Sequence, residues 1–192
     1  ILKDVSRNFT NITKNDKKNY NYFEIKNKNQ FKNFNLNRLF SFQVPIKSKD
    51  YLVNRYLKHP IYKYHIFAVS NKKIKCLCVF RIVNIKNTNI IRMVDYIGSN
   101  QSFGILKNFF ISILDKYNAE YLDFYSFGIP SKILGRSGLI NKKENKNFVV
   151  PDWFDPFVYK NIDIPIGCLN LKKKEKNKFR IFKGDGDQDR PN

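Results

Sequence analysis

Residues 90–98 read IIRMVDYIG and residues 121–127 read YLDFYSF, and these two apolar runs decide the fold. The first run is apolar on both faces, which predicts a central strand of a sheet. Between the two runs, apolar side chains over residues 103–117 recur at three- and four-residue spacing, which predicts a helix capped by Ser102. A strand, a helix and a second strand in this order form a βαβ unit, so we expect the two strands to be parallel.

The flanking sequence extends this unit into a mixed α/β domain. Residues 50–57 carry an apolar helical face, with Ser48 as the N-terminal cap and Pro60 as the stop. Residues 64–69 and 74–83 are rich in β-branched and aromatic side chains, which predicts a hairpin. Downstream we expect a short helix and two last strands, over residues 130–139, 148–159 and 178–183 respectively.

The chain divides into an irregular leader and one globular domain. Residues 1–47 are rich in Asn and Lys and have aromatic residues at irregular spacing, which predicts a leader or linker. Residues 48–192 are expected to form the domain, because 42% apolar and 16% aromatic residues supply one good core. The chain opens at Ile1 without an initiator methionine, so we expect it to be the rear part of a longer polypeptide.

Composition argues against several classes of protein. No run reaches the roughly 18 to 20 apolar residues of a membrane span and none resembles a signal peptide, so we expect a cytoplasmic protein. The net charge of +20 comes from 28 Lys and 8 Arg against 16 acidic residues, but the lysines are scattered and no nucleic-acid-binding motif occurs. We therefore expect no specific nucleic-acid partner, and a basic nucleic-acid-associated protein is the last alternative. No metal is expected, because His59 and His65 have no second ligand at metal-binding spacing, and Cys76 and Cys78 are expected to be small buried side chains.

The element order resembles that of the GNAT acyltransferases, in particular the tandem-domain relatives found beside polysaccharide-assembly enzymes. The stretches that carry the resemblance are residues 54–65 (NRYLKHPIYKYH), 92–98 (RMVDYIG), 120–128 (EYLDFYSFG) and 134–139 (LGRSGL). The resemblance implies a GNAT-like acyl-CoA N-acyltransferase fold with a central mixed sheet flanked by helices. It also implies an N-terminal GNAT-like half of the same polypeptide as a partner.

In that family the co-substrate, an acyl-CoA such as acetyl-CoA, binds where two parallel strands separate. The resemblance implies that the pantetheine arm pairs with the backbone of Val94 and Ile97. It also implies that the pyrophosphate binds the following turn, on amide groups at a helix N-terminus. The turn residues implied to hold the cofactor are Gly98, Ser99, Asn100, Gln101, Ser102 and Gly104.

Two features depart from the family pattern. The turn lacks the basic or Gln residue and the closely spaced glycines that follow it in the family. Leu134 stands where the family has the tyrosine that protonates the leaving thiolate, four residues before the glycine matched to Gly138. A catalytically silent domain that holds a substrate or a partner domain is therefore the alternative to an N-acyltransferase.

Asp95 is the candidate general base, because it lies at the C-terminal end of a central strand, the edge where α/β sheets present their ligands. It would accept a proton from the amine of a small-molecule acceptor, such as a nucleotide-linked amino sugar in surface-polysaccharide assembly. Tyr96 and Tyr125 are expected to line the same cleft, either as acids or as core residues. A buried acid needs a partner, so an ion pair with Arg81 or Arg92 is the alternative role for Asp95.

Further acidic and aromatic residues are candidates for binding the substrate. Asp123 lies in the second strand and is expected either to hold the acceptor amine or to form an ion pair. Trp153 stands beside acidic residues, which indicates either a sugar-stacking platform or a core aromatic. In the acidic C-terminal tail, Asp185 and Asp187 are expected to bind an amine or to pair with lysines, because the glycine and final Glu of a calcium loop are absent.

Overall fold

A five-stranded mixed sheet forms the centre of the structure, a computed structural model that describes residues 21–71, 73–85, 87–142, 149 and 177–186. The strands follow one another in chain order across the sheet. Neighbours from β1 to β4 are antiparallel, whereas β4 and β5 run parallel. The predicted mixed α/β class, with helices flanking the sheet, and the predicted parallel pair are confirmed. The strands are β1 (Asn21–Ile25), β2 (Tyr64–Asn71), β3 (Lys73–Ile85), β4 (Thr88–Gly98) and β5 (Ala119–Phe124).

The first face of the sheet is covered by the chain that precedes β2. This chain forms a 3-10 turn (Lys28–Asn33), α1 (Leu36–Phe40) and α2 (Lys49–Leu52), and α2 continues as a π turn over Val53–Leu57. The hydroxyl of Ser48 accepts a hydrogen bond from the first turn of α2, so the predicted cap is confirmed. The buried residues that these elements contribute to the core are Phe31, Leu36, Leu39, Phe40, Leu52, Val53 and Tyr56.

Part of the predicted leader belongs to this core. Residues 21–25 add β1 to the sheet edge, and Ile25 and Phe31 are both buried. The boundary expected at residue 48 therefore differs from the structure, because the core already includes residues from Ile25 onward. A short strand, a 3-10 turn and a five-residue helix have no sustained period, so their aromatic residues look irregular in sequence. Residues 1–20 lie outside the described ranges.

The second face is covered by the helices between β4 and β5. The single helix predicted over residues 103–117 is instead two helices, α3 (Asn100–Phe103) and α4 (Lys107–Lys116). Ser99, not Ser102, caps α3, because its hydroxyl accepts a hydrogen bond from the Ser102 amide at 3.1 Å. The buried residues on this face include Cys76, Cys78, Phe80, Met93, Tyr96, Phe103, Phe109 and Phe110.

The parallel strands β4 and β5 separate half-way along β4. Their last paired residues are Met93 and Phe124. Opposite β3, Val79 pairs with Asp95 and Phe80 pairs with Met93, so Val94 is the extra residue of a β-bulge at the point of separation.

Beyond this point the chain after β5 pairs with a strand from the far end of the sequence. It forms β6 (Ser126–Phe127), which is antiparallel to β7 (Ile181–Phe182). α5 (Ser131–Arg136) lies within the predicted helix over 130–139, and a 3-10 turn (Lys183–Asp185) follows β7. Apart from residue 149, the strand predicted over 148–159 lies outside the described residues. Among those that are described, no helix is long and apolar enough to cross a bilayer.

Candidate functional site

The segment over residues 180–184 runs antiparallel to the end of β4. The Nη1 atom of Arg180 donates a hydrogen bond to the carbonyl oxygen of Gly98 at 2.6 Å. Four residues further along, a Cβ atom built on Gly184 would lie 3.1 Å from the carbonyl oxygen of Val94. Residues 180–184 therefore lie along the part of β4 that β5 does not reach.

The same segment closes the gap on its other side. Phe182 pairs with Ser126 of β6, and its ring stacks on that of Phe124 with centroids 5.4 Å apart. The ring is also perpendicular to that of Tyr96 of β4, with centroids 6.5 Å apart. The space between β4 and the β5–β6 chain is thus filled by protein side chains and backbone.

Two glycines allow the C-terminal segment to pack closely against its neighbours. A Cβ atom on Gly184 would overlap the hydroxyl oxygen of Tyr56, and one on Gly128 would overlap the carbonyl oxygen of Phe179. Gly128 also has a φ of +88°, a conformation that other L-residues rarely adopt. The packing of the C-terminal segment therefore depends on the absence of side chains at both positions.

Asp95 is fully buried and accepts three hydrogen bonds. The ammonium group of Lys47 and the backbone amide of Tyr96, at 2.8 Å, both bind Oδ1. The hydroxyl of Tyr56 donates to Oδ2 at 2.6 Å. Lys47 also pairs with Oδ1 of Asp185 at 2.8 Å, so one buried ammonium joins β4 to the C-terminal turn. The ion-pair alternative for Asp95 thus has Lys47 as the partner, in place of Arg81 or Arg92.

The pKa values of this network follow from burial and charge. Burial raises the pKa of Asp95, while the ammonium of Lys47 opposes the rise. Burial acts to lower the pKa of Lys47, but the charges of Asp95 and Asp185 outweigh it and raise the pKa overall. Burial and the charge of Asp95 hold the pKa of Tyr56 well above its ordinary value. Lys47 is therefore an ammonium ion at neutral pH. Its partner Asp95 is enclosed in this ion pair and is not exposed to solvent as a general base would be.

The two tyrosines expected beside Asp95 lie in different surroundings. Tyr96 is on the second face, since successive side chains of a strand point to opposite faces. There its hydroxyl donates to the carbonyl oxygen of Ser99 at 2.7 Å. Asp95 and Tyr96 therefore do not line one cleft. The ring of Tyr125 lies 4.3 Å from the ammonium of Lys183, on the C-terminal turn.

The turn expected to hold a pyrophosphate is a tight capped turn. The hydroxyls of Ser99 and Ser102 are 2.9 Å apart, and Gly104 closes α3 after a single turn. Asn100 has a buried side-chain oxygen without a hydrogen-bond partner in the described structure, and Gln101 is exposed. The guanidinium group of Arg180, 82 positions along the chain from Gly98, donates to the carbonyl oxygen at the start of this turn.

The remaining predicted residues divide into three groups. The side chains of Val94 and Ile97 are buried in the core of the first face. Asp123 lies beside Arg92, with 3.5 Å between its Oδ2 and the Nε atom of the arginine. Trp153 and Asp187 lie outside the described residues. Within the described ranges, no three His, Cys, Asp or Glu side chains come together as metal ligands.

Lys47 and Arg180 are the residues of this region that the sequence did not indicate. Lys47 is one of 28 lysines and lies 48 positions from Asp95, so no local pattern marks it. No family model, curated protein or solved structure matches the chain. Any inference about function therefore rests on three structural features: the filled gap, the Asp95 network and the surroundings of Asp123.

Proposed function

We propose that this chain is a GNAT-like domain that holds a substrate or a partner domain and does not bind acyl-CoA between β4 and β5. The observation that carries the proposal is the C-terminal segment in that gap. A pantetheine arm would need the backbone of residues 94–98, and the carbonyl oxygens at the two ends of this stretch lie next to Arg180 and Gly184. Because two chains cannot occupy one place, acyl-CoA could bind there only after the segment has left.

The contacts of the segment indicate that its release is costly. It would break the buried ion pair of Lys47 with Asp185 and the hydrogen bond of Arg180 to Gly98, and it would expose Phe182. Charged hydrogen bonds contribute about 1.5–3 kcal/mol each, and burial of a Phe side chain contributes a similar amount. A total of about 5 kcal/mol would weaken acyl-CoA binding by roughly three to four orders of magnitude.

An acyl-CoA-dependent N-acyltransferase is the second candidate function. The parallel strands β4 and β5 separate after Met93 and Phe124, and the bulge at Val94 lies at the point of separation. Bulges occur often beside active sites, where they redirect the chain. Such an enzyme would act on an amine acceptor only with the C-terminal segment displaced.

Calorimetric titration of the chain with acetyl-CoA tests the proposal. We expect no binding at millimolar acetyl-CoA and about 0.15 M salt. Adenosine 3′,5′-bisphosphate is the control ligand, because it carries phosphates without pantetheine and therefore reports attraction to the basic surface alone. The double variant Arg180→Gln/Asp185→Asn weakens the contacts of the segment. Binding of acetyl-CoA that exceeds the control and becomes tighter in this variant would favour the acyltransferase and contradict the proposal.

A further inference from the structure

A row of four side chains crosses the sheet from β2 to β5. The strand register pairs Tyr64 with Arg81, Arg81 with Arg92, and Arg92 with Asp123. Directly paired residues on neighbouring strands point to the same face, so the four side chains lie side by side on the first face. Each is more than nine-tenths buried, with exposed fractions between 5% and 8%.

The charges in this row break a local rule of sheet stability. Arg81 and Arg92 are direct neighbours, and like charges at paired positions destabilise a sheet. The guanidinium carbon of Arg81 lies 4.3 Å from the centroid of the Tyr62 ring, and this packing holds the guanidinium plane in position. Two guanidinium groups and one carboxylate are buried in this row, and buried charge is costly. Departures of this kind are typical of functional sites.

Asp123 and Asp95 provide an internal comparison between two buried carboxylates of one sheet. The oxygens of Asp95 accept hydrogen bonds from Lys47, Tyr56 and the backbone amide of Tyr96. Within the described structure, neither oxygen of Asp123 accepts a hydrogen bond, and the 3.5 Å separation from Arg92 is longer than a normal one. A buried carboxylate without donors costs free energy. The fold therefore satisfies the first carboxylate and leaves the second available to a ligand.

We propose that the row of Arg81, Arg92 and Asp123 recognises a small ligand that carries an oxyanion near a hydroxyl or ammonium group. Guanidinium groups bind carboxylate and phosphate oxygens through paired N–H donors, and Asp123 accepts the hydrogen bond of the second group. The two ligand groups lie about 5 Å apart, because neighbouring strands have that spacing. Tyr121, two residues before Asp123 on β5, points to the same face and is only partly buried, so the ligand would approach the row from this end.

This proposal rests on the substrate-holding function and names the chemistry of the substrate. The probes are D-glucuronate, which carries a carboxylate, D-glucose 6-phosphate, which carries a phosphate, and neutral D-glucose. The double variant Arg92→Met/Asp123→Leu replaces both charged side chains by apolar ones, a change that often preserves or raises stability at buried ion pairs. The control variant Lys28→Met/Asp50→Leu makes the same chemical change at an exposed ion pair.

We expect calorimetry to show that one of the two acids binds the parent chain at least about ten-fold more tightly than D-glucose. The same acid should bind the row variant at least about ten-fold more weakly and the control variant unchanged, with no loss of melting temperature in the row variant. Equal binding of the acids and D-glucose, or equal binding by parent and row variant, would overturn the proposal. A markedly lower melting temperature of the row variant would show that the row is structural. If neither acid binds, the result of the acetyl-CoA titration is unaffected. The proposed function and the proposed ligand chemistry can therefore be rejected independently.

Discussion

Replacing Asp95 by Asn is expected to lower the free energy of unfolding by about 3–5 kcal/mol. The amide of Asn keeps the size of the side chain, and its oxygen can still accept a hydrogen bond from Tyr56. It cannot neutralise Lys47, which would remain buried with Asp185 as its anion. Removing one member of a buried ion pair leaves the other charge desolvated, and this sets the magnitude. At about 2–4 °C for each kcal/mol, the melting temperature should fall by roughly 6–20 °C.

Urea denaturation followed by circular dichroism measures this change. Asp50→Asn is the matched control, because Asp50 forms an exposed ion pair with Lys28 at 3.1 Å and should contribute less than about 1 kcal/mol. Lys47→Met combined with Asp95→Asn completes a double-mutant cycle, in which the double variant should lose less than the sum of the single variants. A midpoint for Asp95→Asn that equals that of the control would refute the structural ion pair and return Asp95 to the role of a candidate base.

Three further predictions concern the close glycine contacts, stability at alkaline pH and the basic charge of the chain. Gly128→Ala and Gly184→Ala should each destabilise the protein by more than about 1 kcal/mol, because the added Cβ would overlap neighbouring atoms. Gly135 of α5 has open space around it, so Gly135→Ala should stabilise the protein by about 0.5–1 kcal/mol. Thermal melting of the three variants measures these changes. The pKa values of Tyr56 and Lys47 are raised above their ordinary 10.0 and 10.5, so the folded state keeps both protons at a pH where the unfolded state loses them. The free energy of unfolding should therefore be at its full value below about pH 10 and should fall as the pH rises further. Tyr56→Phe should make this alkaline fall shallower, and an unchanged slope would exclude the tyrosine as its source. Binding of duplex DNA should fall steeply as salt increases, and sequence-selective binding that persists near roughly 0.2 M salt would contradict a purely electrostatic attraction.

The hairpin of β2 and β3 and the parallel pair of β4 and β5 were predictable from the sequence. Runs of β-branched residues and the apolar stripe of residues 103–117 are local signals, and they indicate which side of each element is buried. The break between α3 and α4 was missed, because Ser99 and Ser102 are both suitable caps and the apolar period runs through Gly104. Asp95 was expected to be buried, since apolar residues surround it in the strand.

Tertiary structure alone decided how the buried charges are neutralised and what fills the gap between β4 and β5. Lys47 and Arg180 come from distant parts of the chain, and a pattern of nearby residues cannot indicate which of many cations will reach a given carboxylate or carbonyl group. The position of residues 180–184 depends on the separation of two strands and on the small size of Gly128 and Gly184. Periodicity in a sequence records which face of an element avoids water, whereas the partner that completes a buried site is selected by the shape and charge of the folded chain.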